Sequence, residues 1–191
     1  AEVSAPATPQ KTATAPSSSA SLSPMKDTHK KHIESITAYI SSHSYPVEVH
    51  TAQTEDGYLL NMFRIPHGTE RSLKLHINEE LAPDELEERK KKKRPVVFLQ
   101  HGCFNSSSTW VVCGPKQSLA FLLADAGFDV WMGNNRGTQF AREHISLNDK
   151  LPAFWKFSWH EMGCYDFPAQ VGYVINHTKV PSLSIVYVVC I

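Results

Sequence analysis

Residues 94–109, RPVVFLQHGCFNSSST, limit what this chain can fold into more than any other stretch. Residues 95–99 form a short apolar run rich in valine, with proline only at its first position. A parallel strand buried on both faces reads this way, because it has no solvent side on which to place polar residues. Gln100-His101-Gly102 ends the run, and a glycine there lets the backbone turn tightly and a ligand come close. Residues 183–191 are apolar apart from Ser184 and predict a second central strand.

The elements around this strand follow from periodicity. In 26–44, Ile33, Ile36 and Ile40 recur at helical spacing with Tyr39 alongside, Asp27 or Thr28 supplies a cap, and Pro46 stops the helix. Its apolar face is short, which predicts packing on the domain rather than lying in a membrane surface. Residues 47–53 alternate, with Val47, Val49 and Thr51 set against Glu48, His50 and Ala52. They form a β-hairpin with 58–65 across the turn 54–57. Residues 114–126 predict a helix with Pro115 in its first turn, Leu119, Leu122, Leu123, Ala120 and Ala126 on one face, and Gly127 closing it. A strand at 128–132 precedes a turn at 133–137. Asp166-Phe167-Pro168 reads as an acidic cap opening a helix that runs on through 169–176. The order hairpin, strand, helix, strand argues for an α/β sheet that is parallel in its second part.

Composition narrows the function classes. With 41% hydrophobic and 20% charged residues among 191, one globular domain is expected over 26–191. Residues 1–25, rich in Ala, Ser, Thr and Pro, are expected to form a disordered lead. Lys+Arg 19 balances Asp+Glu 19, so net charge points to no nucleic-acid partner. The charged residues 67–94, ending in the basic run 90–94, are expected to form a solvated surface loop, within which residues 81–84 are able to begin a short helix. No run of about 18 apolar residues exists, so no transmembrane segment is expected. The chain opens at Ala1 with no visible secretory leader, which is expected of a processed chain or a fragment. Cys103, Cys113, Cys164 and Cys190 show neither C-x-x-C nor metal spacing, and they leave every disulfide pairing open. No metal and no cofactor are expected. His160-Glu161 lacks the second histidine of a zinc-protease helix, since that position is Cys164. Asn105 and Asn176 open glycosylation triplets. The aromatic stretch 151–165 is expected to pack over the sheet, with a lipid-contacting wall as the alternative. Nothing in the sequence sets the oligomeric state.

Residues 45–178 resemble the acid lipases of the α/β-hydrolase fold, the lysosomal acid, gastric and insect digestive group. The resemblance rests on YPVEVHTAQTEDGYLL, RIP, RPVVFLQHG, GPKQSLAFLLADAGFDVW, GNNRGT and PAFWKFSWHEMGCYDFPA, in that order. It implies an incomplete α/β-hydrolase fold: an N-terminal β-hairpin, then parallel strands with crossover helices, with the C-terminal strands missing. It implies hydrolysis of lipid esters, triacylglycerol or steryl ester, in lipid catabolism and in a secreted or lysosomal setting. Carried onto this sequence, Cys103 stands where the family usually has Leu and donates a backbone N–H to the oxyanion. The nucleophile should follow the strand at 183–191 within G-x-S-x-G, and the acid and histidine should follow later. Here Tyr187-Val188 is followed by Val189-Cys190-Ile191, and no G-x-S-x-G occurs in the 191 residues. Catalytic residues are therefore expected to be absent. The chain is expected to be inactive alone and, with its last strand uncovered, poorly soluble or molten. The alternative is a non-catalytic product that binds lipid or a partner.

Overall fold

The computed structural model describes residues 27–75, 83–180 and 184–187. The lead 1–25 and Cys190 lie outside the described residues. In chain order the elements are helix α1 (Asp27–Ser42), strands β1 (Glu48–Gln53) and β2 (Tyr58–Ile65), and helices α2 (Glu70–Leu75) and α3 (Pro83–Lys91). Strand β3 (Val96–Gln100), helix α4 (Leu119–Asp125), and strands β4 (Asp129–Met132) and β5 (Glu143–His144) come next. Helices α5 (Trp159–Glu161) and α6 (Phe167–Thr178) and strand β6 (Ser184–Tyr187) complete the set.

The strands form one mixed sheet in the order β1-β2-β4-β3-β6, with β5 pairing the start of β2. The hairpin is antiparallel, running from Glu48 opposite Arg64 to Gln53 opposite Leu59. Gly57, at φ +98, closes its turn in a conformation that glycine alone adopts without strain. β3 is parallel to β4 on one side and to β6 on the other. All five β3 residues are buried, as the apolar run predicts. Side chains alternate between the two faces. Val97, Leu99, Val130, Met132, Phe63 and Ile65 pack with Ile33, Ile36 and Ile40 of α1 and with Phe121 of α4. Val96, Phe98, Trp131 and Met62 pack with Phe167, Val171 and Val174 of α6. Each fully buried large apolar side chain contributes about 1.5–3 kcal/mol, so this one strand weighs heavily against a net domain stability of about 5–15 kcal/mol.

Several expectations need correction. Within the connection 67–94, α3 starts at Pro83, inside the stretch read as able to begin a short helix, whereas α2 is a helix the sequence reading did not include. α4 starts at Leu119, after turns through 114–118, so Pro115 precedes the helix instead of opening it. The later start shifts the buried face to Ala120, Phe121 and Ala124 and leaves Leu122 exposed. Gly127 does close this helix, at φ +94. In β1 the alternation holds but the faces are reversed: Val49 is exposed while His50 is half-buried and Ala52 buried. The reason is tertiary. β1 is an edge strand, and α6 lays a polar ring under its inner face: His50 packs on Trp131 at 4.6 Å between ring centres and lies 3.1 Å from the Tyr173 hydroxyl. Tyr187 closes β6, which borders only β3 among the described residues, in keeping with the uncovered last strand expected of this chain. Residues 183 and 188–191 of that predicted strand lie outside the described residues.

Candidate functional site

Parallel strands collect ligands at their carboxyl ends, where loops leave the sheet and backbone groups are free to face a cleft. Here the loops leaving β3 and β4 build that end. Gln100 and His101, at the exit from β3, are both buried. His101 Nδ1 lies 2.8 Å from the Gly102 carbonyl oxygen, and the Asn135 backbone N–H donates to His101 Nε2 at 3.1 Å. An Nε2 that accepts requires the proton on Nδ1, so both ring nitrogens are spent on the backbone. Burial also lowers the pKa of His101, which keeps the ring neutral. His101 therefore clamps the β3 and β4 loops together and is no general base.

Cys103 lies in the same turn, half-buried. Phe104 then adopts φ +55, a left-handed conformation, and its ring is fully exposed. Ser106–Ser108 offer no activated nucleophile. Ser106 Oγ and Ser108 Oγ lie 2.8 Å apart, and Ser107 Oγ accepts from Asn134 Nδ2 at 3.0 Å. His160 sits on exposed surface with its ring nitrogens 3.7 and 3.8 Å from Cys164 Sγ. Asn105 and Asn176 are both exposed, and Asn105 Oδ1 accepts the Ser106 N–H at 2.9 Å.

The loop after β4 is the centre of the arrangement, a role not evident from the sequence. Asn134, fully buried, accepts from the Ser107 N–H at 2.9 Å and donates to the Asn61 carbonyl at 2.8 Å. Its own N–H donates to Gln170 Oε1 at 2.9 Å. It thereby ties the loop after β3 to β2 and α6. Gly133 is needed for close approach: a Cβ there would stand 2.5 Å from Phe98 and 2.8 Å from Gln100 Oε1. Arg136 is buried between two carboxylates. Its Nε donates to Asp166 Oδ1 at 2.7 Å and its backbone N–H to Asp166 Oδ2 at 2.8 Å. Its two terminal nitrogens grip Asp56 at 2.6 and 2.8 Å, and the guanidinium lies 3.9 Å over the Tyr58 ring.

This pairing overturns the predicted acidic cap. The helical run begins at Ser158, where a capping box joins Ser158 to Glu161, and a π-turn at Met162–Asp166 leads into α6. Asp166 thus sits inside a helical run with no capping bond, and it is buried because Arg136 is there. Within the aromatic stretch, Phe154 packs on the sheet as expected, buried against Tyr58 and Leu60 of β2 beside Ala141, with Phe157 partly buried against them, while Trp155 and Trp159 stay exposed. GNNRGT follows β4 directly as a polar run, but its sequence gives no sign of which of its residues are buried or what they bond.

Residues 36–114 match the family described as the partial α/β-hydrolase lipase region. Gastric triacylglycerol lipase of Bos taurus is 42% identical over 143 residues, covering 75% of this chain and 32% of that one. Lysosomal acid lipase/cholesteryl ester hydrolase of Homo sapiens is 43% identical with the same coverage. Lipase 1 of Drosophila melanogaster is 40% identical over 149 residues, covering 78% of this chain and 28% of that one. The chain thus spans about a third of the length of these relatives. Among solved structures, an epoxide hydrolase from Vigna radiata overlaps with a TM-score of 0.42 at 16% identity, over 74% of this chain and 31% of that one. By its β3 and β4 motifs, their order, and about 40% identity across three quarters of its length, this chain belongs to the acid-lipase group of the α/β-hydrolases.

Proposed function

We propose that this chain is the amino-terminal part of a carboxylic ester hydrolase acting on lipid esters, of the triacylglycerol or steryl ester class. The observation that supports it is the His101-Gly102-Cys103 turn at the carboxyl end of β3, with His101 buried, in a chain 42% identical over 143 residues to a gastric triacylglycerol lipase. In this reading the Cys103 backbone N–H is one oxyanion donor. When a nucleophile adds to the ester carbonyl, negative charge grows on the oxygen, and a fixed N–H meets it without reorganising. Cysteine in place of leucine keeps that N–H. Loss of one such donor costs about 10²–10³ in kcat.

The remaining chemistry needs a serine in a strained elbow, a carboxylate and a histidine. No G-x-S-x-G stands in the 191 residues, and the serines near Cys103 are bonded to each other and to Asn134. The chain by itself therefore does not turn over esters. The reading places the longer protein in a secreted or lysosomal setting, as a glycoprotein with glycans on the exposed Asn176 and Asn105. A glycan on Asn105 Nδ2 leaves the Oδ1 bond to Ser106 intact. The second reading, a non-catalytic product that binds lipid or a partner, draws on exposed Phe104, Leu151, Trp155 and Trp159.

The test is to assay the 191-residue chain on triolein and cholesteryl oleate beside the product of the native transcript read past Ile191. The expected result is no rate above buffer for the chain, and hydrolysis by the longer product that is lost when its G-x-S-x-G serine becomes alanine. Ester turnover by the chain itself would sink the proposal. No turnover by either product, together with vesicle binding, would favour the second reading.

A further inference from the structure

The basic run at 90–94 plays no part in ester chemistry, yet the fold gives it a place. A cavity of about 210 Å³ opens at the amino ends of β3 and β4, the end of the sheet away from Cys103. Lys91, Lys92, Lys93 and Arg94 line it from one side, Arg64 from β2, and His177 from the end of α6. Asp129 is the one carboxylate in the lining among the described residues, and the Arg64 guanidinium spans it with bonds of 2.9 and 2.8 Å. Five Lys and Arg side chains against one Asp leave a formal balance of +4. The carboxyl ends of α3 and α6 also reach this region, each equivalent to about −0.5 charge. The cations outweigh them severalfold.

Two other occupants fit less well. The donor atoms of Glu48, His50 and His177 lie within 4.8 Å of one another, a spacing suited to a divalent metal. Arg64 Nη1 already stands there, 2.8 Å from Glu48 Oε2 and 3.5 Å from His177 Nε2, and it remains tethered to Asp129. A tethered cation with four more beside it repels a metal ion. A nucleic-acid strand needs aromatic platforms for its bases, and no Trp, Tyr or Phe lines the cavity among the described residues.

We infer that this cavity binds a phosphate group, as free phosphate or as the headgroup of an anionic lipid, through Lys91, Lys92, Lys93 and Arg94. The same site that disfavours a metal supplies what a multiply charged oxyanion requires: several cationic N–H donors lining one recess. The inference is independent of the ester chemistry, since no residue named in it belongs to the oxyanion end.

The test titrates the full chain with inorganic phosphate, by calorimetry, as wild type and as the K91A/K92A/K93A variant. All three lysines are exposed, so the variant should fold as the wild type does, which near-UV circular dichroism checks. A K116A/K150A/K156A variant removes equal charge from exposed positions elsewhere. Saturable phosphate binding, weakened about tenfold or more by the first variant and little by the second, is the expected result. Vesicles of phosphatidylcholine with and without phosphatidic acid then identify the source. Binding that needs phosphatidic acid and is displaced by free phosphate assigns a headgroup; phosphate binding without vesicle binding assigns a soluble anion; both uphold the site. No saturable phosphate binding, or equal weakening by both variants, overturns it. Binding of single-stranded RNA that phosphate fails to displace overturns it in favour of an extended polyanion surface.

Discussion

Arg136 and Asp166 form an ion pair almost wholly withdrawn from water. Their side chains are 1% and 0% exposed, and removing two ions from water costs several kcal/mol each unless every polar atom is matched. The matching is close to complete: Asp166 receives two N–H groups from Arg136, and Asp56 takes the rest of the guanidinium. Burial still dominates at the carboxyl, pushing Asp166 up to about 6 against the pull of Arg136. A carboxyl raised in the folded state binds its proton more tightly there than in the unfolded chain. Its contribution to stability is full below the ordinary carboxylate range and is lost as pH rises through about 6. The lowered His101 and His177 act with the opposite sign, so comparison with a variant isolates Asp166. Relative to Asp166→Asn, the wild type should gain up to about 3 kcal/mol as pH falls from about 6 to about 4. Thermal unfolding of both proteins across that range measures it, and a constant difference would contradict the assignment.

At the scale of elements, two glycines separate backbone cost from steric cost. Gly127 ends α4 at φ +94, and nothing lies within 4 Å of a Cβ placed there. Gly127→Ala should therefore cost only the left-handed penalty, about 1–2 kcal/mol. Gly133 has no such penalty, but its added Cβ would collide with Phe98 and with the amide oxygens of Gln100 and Gln170. Gly133→Ala should cost more, about 2–4 kcal/mol, and should disturb the Asn134 bonds that hold the loop bearing Cys103. Denaturant midpoints rank the two. An equal or reversed order would show that the β4 loop moves aside at little cost. The stop of α4 at Gly127 was legible in sequence because a C′ glycine acts locally. Its start was not, because turns through 114–118 compete with helix on nearly equal terms and packing of Phe121 decides between them.

For the whole molecule, the sheet's exposed margin matters most. β6 hydrogen-bonds to β3 along one side and to no other described strand. Ile185 is 38% exposed on it. An open apolar edge is a template for pairing with another chain. The isolated 191-residue chain should therefore aggregate on concentration, and Ile185→Lys should raise the concentration at which light scattering begins. A soluble monomer with one sharp melt, unaffected by the lysine, would show that this edge is covered by some other means.

The sequence by itself determined what depends on neighbours along the chain: the buried strand at β3, the hairpin with its Gly57 turn, the isoleucine face of α1, and the acid-lipase motifs in their order. These are periods of two and of 3.6, turn chemistry and spacing, and each acts over a few residues. Tertiary structure decided everything that rests on pairs far apart. The inner face of β1 is set by Trp131 and Tyr173, and the burial of Asp166 by Arg136. The tautomer of His101 is set by the Asn135 N–H, and the basic run meets Arg64 and His177 only in the folded sheet. A charged or polar residue gives no sign in sequence of whether its partner lies in water or thirty residues away, because burial, not identity, fixes what that group costs and what it can do.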